Sequence, residues 1–336
     1  MRMNASDFDQ VASILADSQR VLVIQADNPD ADSLGSALAL EALLEEQGKH
    51  VWLQCSVDVP GYLRHMAGWD RVTRELPSQF DATIIVDAST MTLLDIFKDT
   101  AVRGAVASKP VIVLDHHAVT DNPIEFASVV INRPDLSSTG ELIYLLAGQL
   151  GWGVSVDAAT QIMHSILGDT QGLANELAKA STYRVMADLV ELGVSRPELE
   201  EARREMSKMP EVIFRYKADL IKRTEFYADG KLAVVTVPQH EINDYSPLYN
   251  PAPLIQFDTL QTEGVLLSIV LKQYDSGRVT AAIRANQSAP VAGELAGRMG
   301  GGGHAYASGF KIEDGTSYGD VKARCLAEAT ELLQSI

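Results

Sequence analysis

The first half of the chain alternates short apolar runs with longer segments of helical periodicity. Apolar runs that predict buried strands lie at 20–25 (RVLVIQ), 50–54, 82–86 (ATIIV) and 110–114 (PVIVL). Segments with helical spacing lie at 6–19, 33–47, 138–150 and 155–167. Strands that are apolar throughout and alternate with helices are typical of a parallel sheet covered on both faces. The pattern therefore predicts an α/β fold with a mainly parallel, doubly wound sheet.

The pattern changes near residue 193. Residues 193–224 are rich in charge (RPELEEARREMSK) and predict a helical linker. New strands are predicted at 231–237, 264–274 and 278–285, and the last two are joined by Asp275-Ser276-Gly277, a hairpin signal. A helix at 290–299, a glycine run, a strand and a final helix follow. We predict a catalytic domain over 1–192, this linker, and a smaller α/β domain over 225–336, with a cleft between the domains.

Acidic and imidazole side chains follow three of the predicted strands, at the edge where open parallel sheets bind ligands. The groups at this edge are Asp30, Asp32, Asp87, Asp115, His116, His117 and, from the end of a predicted helix, Asp169. Each alone has a structural explanation: Asp32 or Asp87 could cap the next helix, and the histidines could be surface residues.

Together these groups predict a metal site. Several carboxylates at one sheet edge repel one another unless a cation holds them. Carboxylates mixed with imidazole suit Mn²⁺, Mg²⁺ or Zn²⁺, and the oxygen-rich set favours Mn²⁺. A carboxylate that bridges two ions would allow a two-metal site.

Four short motifs carry a resemblance to a known family. NPDAD, VDAS, LDHHAV and LGDTQG, in this order and spacing, resemble the four motifs of the DHH phosphoesterase family. That family includes RecJ-like exonucleases, nanoRNases, pAp phosphatases and family II inorganic pyrophosphatases. The resemblance runs from about residue 21 to residue 310, and INRPDLSSTGELI (131–143) is also similar to the family's stretch between the third and fourth motifs.

The resemblance implies a metal ligand set. Asp87 would bridge two ions, and Asp30 would serve the second. The ligands that complete the first ion would be Asp32, His116 and Asp169. The expected cofactor is Mn²⁺, as one or two ions, with Mg²⁺ as the alternative.

The same resemblance implies catalytic roles around the bridging Asp87. Asp115 would orient the imidazole of His116, and His117 would contact the substrate phosphate or protonate the leaving oxygen. One position departs from the family, which usually places a histidine where this chain has Ala26. The second ion therefore loses a ligand, for which Gln25 or Asp27 would have to compensate.

A glycine run near the end of the chain suggests a second binding region. Consecutive glycines can be a simple turn, but their N–H groups can also converge on an anion, aided by the dipole of a following helix. GGGGHAYASGF resembles the signature of the C-terminal partner domain of RecJ-like and nanoRNase-type members. By that resemblance, the substrate-binding residues are Arg284, Asn286, Gly301, Gly302, Gly303 and His304.

The composition of the chain limits the classes of molecule that it is expected to bind. Lys plus Arg is 28 and Asp plus Glu is 45, a net charge of −17 that offers long nucleic acids no basic track. No apolar stretch approaches the ~20 residues of a membrane span. The two cysteines and the N-terminus without a signal-like stretch indicate a reducing, cytoplasmic location. We expect a small phosphate ester or short oligonucleotide as partner, no long duplex and no membrane, with a homodimer left open.

The expected activity is that of a nanoRNase-like, metal-dependent phosphoesterase. It would hydrolyse short oligonucleotides or linear dinucleotides to nucleoside monophosphates. Two alternatives share the motifs, a pAp phosphatase and a cyclic-dinucleotide phosphodiesterase. A third belongs to another class: with Ala26 in place of the ligand histidine, the chain could be a nucleotide-binding sensor with weak catalysis.

Overall fold

A computed structural model describes residues 5–117, 122–246 and 249–336, with the side chains of residues 5 and 6 left aside. Ala118 and Val119 of the third motif lie outside the described residues. The chain divides into two compact units, Met1–Lys208 and Met209–Ile336. The division falls inside the segment 193–224 that we expected to be a helical linker. That segment is helical, but its first helix belongs to the first unit and its second helix to the second.

The first unit is built on a parallel sheet of six strands. The strands are β1 (Arg20–Gln25), β2 (His50–Gln54), β3 (Val72–Thr73), β4 (Ala82–Val86), β5 (Val111–Asp115) and β6 (Val129–Asn132). Their order is β3-β2-β1-β4-β5-β6, and every described pairing is parallel. The order reverses between β1 and β4, which makes this pair the switch point where ligands of such sheets bind. The predicted parallel α/β architecture is confirmed.

Helices cover both faces of this sheet. Those of the first unit are α1 (Ala5–Ala16), α2 (Ala31–Glu46), α3 (Thr100–Ala107), α4 (Thr139–Leu150), α5 (Val156–Asp169), α6 (Ala180–Glu191) and α7 (Arg196–Met206). Alternate residues of β1 enter different cores: Val21 and Val23 pack with α2, α4 and α5, and Leu22 and Ile24 pack on the α3 side. This double burial explains why the strands read as unbroken apolar runs.

A glycine lets α2 and α5 approach closely. A Cβ built on Gly35 would lie 2.7 Å from the carbonyl oxygen of Gln161 and 3.2 Å from the Cβ of Ser165. A larger residue would push the two helices apart. Because α2 begins beside Asp32 and α5 ends at Asp169, this contact sets the spacing of the two carboxylates.

The second unit has its own six-stranded sheet and core. Its strands are β7 (Glu225–Tyr227), β8 (Leu232–Pro238), β9 (Leu267–Gln273), β10 (Val279–Ala285), β11 (Gly302–His304) and β12 (Ala307–Ile312). Their order is β11-β12-β10-β9-β8-β7, and β8 with β9 is the parallel pair among the described pairings. The predicted hairpin joins β9 to β10 through Gly277, whose φ is +84°.

Helices also lie on both faces of the second sheet. They are α8 (Glu211–Lys222), α9 (Gln239–Tyr245), α10 (Pro251–Leu260), α11 (Ala292–Arg298) and α12 (Tyr318–Gln334). Helices α11 and α12 share one apolar core with the sheet, and α8 and α10 share the other. The predicted smaller α/β domain is thus confirmed.

The glycine run differs from its prediction. We expected a loop backed by the N-terminus of a following helix, but residues Gly302–His304 form the edge strand β11, paired antiparallel with β12. The next helix, α12, begins only at Tyr318. The glycines are needed for close strand packing, because a Cβ on Gly301 would lie 2.2 Å from the carbonyl oxygen of Gly309 and Gly303 has a φ of +139°. Within the described ranges, no helix is both long and apolar enough to cross a membrane.

Candidate metal centre

Asp30 begins helix α2. Its Oδ1 accepts a hydrogen bond from the Ser33 amide (2.9 Å), and the Ser33 hydroxyl accepts one from the Asp30 amide (3.0 Å), which together form a capping box. The cap considered for Asp32 therefore belongs to Asp30. Burial, with the charge of Asp32 adding to it, raises the pKa of the Asp30 carboxyl.

Asp32 lies in the first turn of α2, and its fully buried carboxylate faces the N-terminus of helix α4. Its Oδ1 accepts hydrogen bonds from the Ser165 hydroxyl (2.6 Å), the Ser36 hydroxyl (3.0 Å) and the Gly140 amide (3.2 Å). Its Oδ2 accepts one from the Thr139 amide (2.9 Å). The two amides belong to the first turn of α4, where the helix dipole favours negative charge. These donors compensate for burying the carboxylate and fix its orientation.

Asp87 lies at the switch point, directly after β4. Its φ of +57° is rare for a residue other than glycine, and its amide donates to the carbonyl oxygen of Leu114 (2.9 Å). The Thr139 hydroxyl donates to Asp87 Oδ1 (3.2 Å). Burial, together with the nearby carboxylates of Asp32 and Asp30, raises the pKa of Asp87 well above its usual range. A strained backbone and a crowded charge at one residue are typical of functional sites.

The imidazole of His116 is surrounded by carboxylate oxygens. Its Nε2 lies 2.9 Å from Asp169 Oδ2, 3.3 Å from Asp32 Oδ2 and 3.7 Å from Asp87 Oδ1. Although the first distance is short, its geometry is not that of a hydrogen bond, and the buried Nε2 has no hydrogen-bond partner among the described residues. Burial alone would lower the pKa of His116, but Asp169 and Asp32 outweigh it and raise that pKa to about 9.

These atoms fit a divalent cation. Two overlapping trios, Asp32/His116/Asp169 and Asp87/His116/His117, each bring their ligand atoms within 4.8 Å of one another. A buried imidazole nitrogen that faces carboxylate oxygens without a hydrogen bond is the arrangement that a bound ion would satisfy, and this donor set suits Mn²⁺, Mg²⁺ or Zn²⁺. Without an ion, burial and the charge of Asp32 raise the pKa of Asp169 to about 6 even though His116 opposes the shift.

Asp115 holds the ring of His117. Its Oδ1 lies 2.7 Å from His117 Nδ1 and also accepts the backbone amides of His116 (2.7 Å) and His117 (3.2 Å). Our prediction that Asp115 orients the His116 ring is wrong, because Asp115 ends β5 and its carboxylate turns toward the next two amides. The hydrogen bond to Asp115 raises the pKa of His117. Burial would raise the pKa of Asp115, but its bonds to His117 and Ser89 lower it.

The position that lacks a histidine offers no ligand. Ala26 is buried in the apolar core on the α3 side of the sheet, and the Cys55 thiol contacts its carbonyl oxygen (3.4 Å). Of the neighbours considered as replacements, Asp27 accepts the amide of Asp95 through Oδ2. Gln25 is buried, and neither Oε1 nor Nε2 has a hydrogen-bond partner in the described structure. Asp27 Oδ1 likewise has no hydrogen-bond partner there, so a compensating role for Gln25 or Asp27 stays a prediction.

In the second unit, two of the predicted binding residues share one row of the sheet. Arg284 on β10 is exposed and lies opposite Ala307 on β12, which lies opposite His304 on β11. Residues opposite one another in antiparallel strands point to the same face. Asn286 differs, because its side-chain Nδ2 donates to the carbonyl oxygens of Leu260 (3.2 Å) and Val265 (2.7 Å). Its amide hydrogens therefore hold a loop in place.

Comparison with known proteins decides the family. The model of the DHH family, N-terminal domain, matches residues 20–193. The chain belongs to the DHH family. This confirms the resemblance carried by the four motifs.

Other DHH-family relatives are similar over most of the chain. The bifunctional oligoribonuclease and PAP phosphatase NrnA of Thermus thermophilus is 26% identical over 292 residues, covering 85% of this chain and 82% of that protein. The cyclic-di-AMP phosphodiesterase GdpP of Geobacillus thermodenitrificans is 24% identical over 322 residues. The match covers 90% of this chain but only 46% of the length of GdpP. A solved structure, an exopolyphosphatase-related protein from Bacteroides fragilis, has the same fold, with a TM-score of 0.79 at 21% identity and 98% of both chains covered.

Two residues that bond the carboxylates of the candidate metal centre were not predicted from the sequence. Thr139 bonds both Asp32 and Asp87, and Ser165 bonds Asp32. Thr139 lies in the segment 131–143 noted above, so it could have been singled out. Ser165 lies one helical turn before Asp169, a spacing that places both on one face of α5 and was the available signal.

Proposed function

We propose that this chain is a metal-dependent phosphoesterase that hydrolyses short oligonucleotides or linear dinucleotides to nucleoside monophosphates. The observation that carries the proposal is the buried Nε2 of His116, which makes no hydrogen bond and faces the carboxylates of Asp32, Asp87 and Asp169. The similarity to NrnA supports short nucleotides as the substrate class. Hydrolysis of pAp or of a cyclic dinucleotide is the second candidate, supported by the names of NrnA and GdpP.

In this proposal Asp32, His116 and Asp169 would hold one ion, and Asp87 and Asp30 would provide ligands for a second. Mn²⁺ suits the oxygen-rich donors, and Mg²⁺ is the alternative. When bound, a divalent ion supplies Lewis acidity that lowers the pKa of a coordinated water and offsets phosphoryl charge. Because Asp30 already caps α2 and Ala26 adds no donor, the second position is expected to bind more weakly.

His117 acts on the substrate side. Its Nδ1 is held by Asp115, and this hydrogen bond raises the pKa of His117, which favours the protonated ring. Its side chain is 54% exposed, so Nε2–H is accessible to a substrate. We assign this group to the phosphoryl oxygen or to the leaving oxygen, to which it would transfer its proton as the P–O bond breaks. Asp115 then stabilises the imidazolium before that transfer.

In the second unit, we propose that residues on one face of the sheet bind a phosphate. Arg284 can bind a phosphate through two parallel hydrogen bonds. His304, on the same sheet face, and the backbone of Gly301 to Gly303 complete the proposed contacts. Asn286 contributes through its Oδ1, since its amide hydrogens are engaged.

The proposal includes a cytoplasmic setting, consistent with two buried, free cysteines, Cys55 and Cys325.

A substrate panel tests this function. The purified full chain with Mn²⁺ would be given pApA, pAp, cyclic di-AMP and pyrophosphate in parallel, and products would be separated by chromatography. We expect AMP from pApA at the highest kcat/KM, and no turnover after chelation. Binding of pApA without AMP release would instead indicate a nucleotide sensor. Unimpaired hydrolysis in excess chelator would contradict the metal-dependent scheme.

A further inference from the structure

An exposed tyrosine, Tyr62, contacts the loop that leads into the candidate metal centre. The residue is 63% exposed. It lies in a short 3₁₀ turn, Gly61–Leu63, and its hydroxyl donates to the carbonyl oxygen of Pro29 (3.3 Å). Pro29 directly precedes Asp30, so the ring is attached to the loop that carries the first acidic motif.

The turn that carries this ring is firmly supported. Leu63, the last residue of the turn, and Met66, which follows it, are buried in the core of the first unit. His65 Nδ1 is bonded to the Tyr62 carbonyl oxygen (2.8 Å), and Arg64 Nε donates to the Val59 carbonyl oxygen (3.2 Å). The exposed ring is therefore presented on a fixed base, which reduces the entropy lost when a ligand binds to it.

The charge of the acidic loop also affects the Tyr62 hydroxyl. Burial of the hydroxyl and the charge of Asp30 raise the pKa of Tyr62. The hydroxyl thus remains neutral and bonded to Pro29, while the ring face is left to solvent. A residue with one anchored polar end and one free apolar face is suited to bind a flat, uncharged group.

We propose that Tyr62 is a stacking platform for the nucleobase next to the phosphate that is cleaved. The inference rests on the proposed function, because it assigns that base a place. A base stacks on an aromatic ring whatever its identity, so this contact would favour nucleotides over other phosphate esters without selecting a sequence. It would also suit a strongly acidic chain, since stacking gains affinity without adding positive charge.

The test compares two variants on three substrates. The full chain with Mn²⁺ would be assayed on pApA and on analogues of pApA in which one base or the other is replaced by hydrogen. Tyr62→Ala should raise KM for pApA by about tenfold or more. It should change KM by less than about twofold on the analogue that lacks the stacked base. Tyr62→Phe, which keeps the ring and loses the hydroxyl bond, should behave as wild type on pApA.

A control and two outcomes keep the inference separable from the proposed function. Phe214→Ala removes an equally exposed ring (65%) from α8 of the second unit and should leave KM unchanged. If wild type releases AMP but Tyr62→Ala matches it, or if Tyr62→Phe is as impaired as Tyr62→Ala, stacking is wrong and the function stands. If wild type releases no AMP from pApA, both fall.

Discussion

Replacing Ser165 by alanine would remove one of the three hydrogen bonds received by Asp32 Oδ1. At 2.6 Å this is the shortest of them, and the same Ser165 oxygen accepts the Gly140 amide (3.0 Å) and lies 2.9 Å from Ser138 Oγ, whose hydroxyl can donate to it. A buried hydrogen bond to a charged group contributes about 1.5–3 kcal/mol. Ser165→Ala should therefore lower the free energy of unfolding of the metal-free protein by about 2 kcal/mol.

The second effect of this substitution concerns the metal. Ser165 helps to turn Asp32 so that Oδ2 faces His116, and loss of such a supporting hydrogen bond typically weakens metal binding by roughly 10- to 100-fold. Urea unfolding would measure the loss of stability. Titration of Mn²⁺ against a fluorescent chelator would measure Kd.

A matched control separates the two effects. The Thr182 hydroxyl donates to another buried carboxylate of the same unit, Glu141 (3.0 Å), and Thr182→Val keeps its shape. This variant should lose similar stability and keep the wild-type Kd for Mn²⁺. If Ser165→Ala also kept that Kd while losing stability, Ser165 would be a packing residue and the argument about the orientation of Asp32 would be refuted.

Three further perturbations address the site and its surroundings. Asp87→Asn removes a buried charge among carboxylates, so it should raise the thermal midpoint of the metal-free protein, measured by calorimetry. It should also abolish stabilisation by Mn²⁺ and hydrolysis of pApA. A lower midpoint without metal would contradict repulsion among these carboxylates. Asp115→Asn removes the bond that raises the pKa of His117, so the alkaline limb of the kcat profile should move to lower pH, and an unmoved limb would argue against His117 as the acid. Burial, aided by His65 and Arg196, lowers the pKa of His164 from 6.5 to about 4. Between those pH values only the unfolded chain binds the proton. The free energy of unfolding is therefore highest above about pH 6.5 and falls by about 3 kcal/mol toward pH 4. Urea unfolding of His164→Gln should show a correspondingly flatter pH dependence, and an unchanged slope would exclude His164 as its source.

Much of the sheet could be predicted because burial on both faces leaves a local signal. The predicted bounds of β1, β2 and β4 are the observed ones, and β1 and β4 are buried along almost their whole length, whereas β2 leaves His50 and Trp52 exposed. The sequence does not predict the short edge strands β3 and β6, because a strand of two or four residues has no periodicity to detect. The sequence predicts a loop at the glycine run, because nothing in it indicates that β12 pairs with these residues.

The order of the elements, and the acidic and imidazole groups that reach the sheet edge, can be predicted from the sequence, because parallel strands end at one edge of a sheet. The contacts that each group makes there depend on tertiary packing. The bonds from Thr139 and Ser165 to Asp32 join residues 107 and 133 positions apart. The choice of His117 as the ring held by Asp115 depends on how the end of β5 is packed. Such partners are selected by the meeting of helices and strands that are distant in sequence, so no local pattern encodes them.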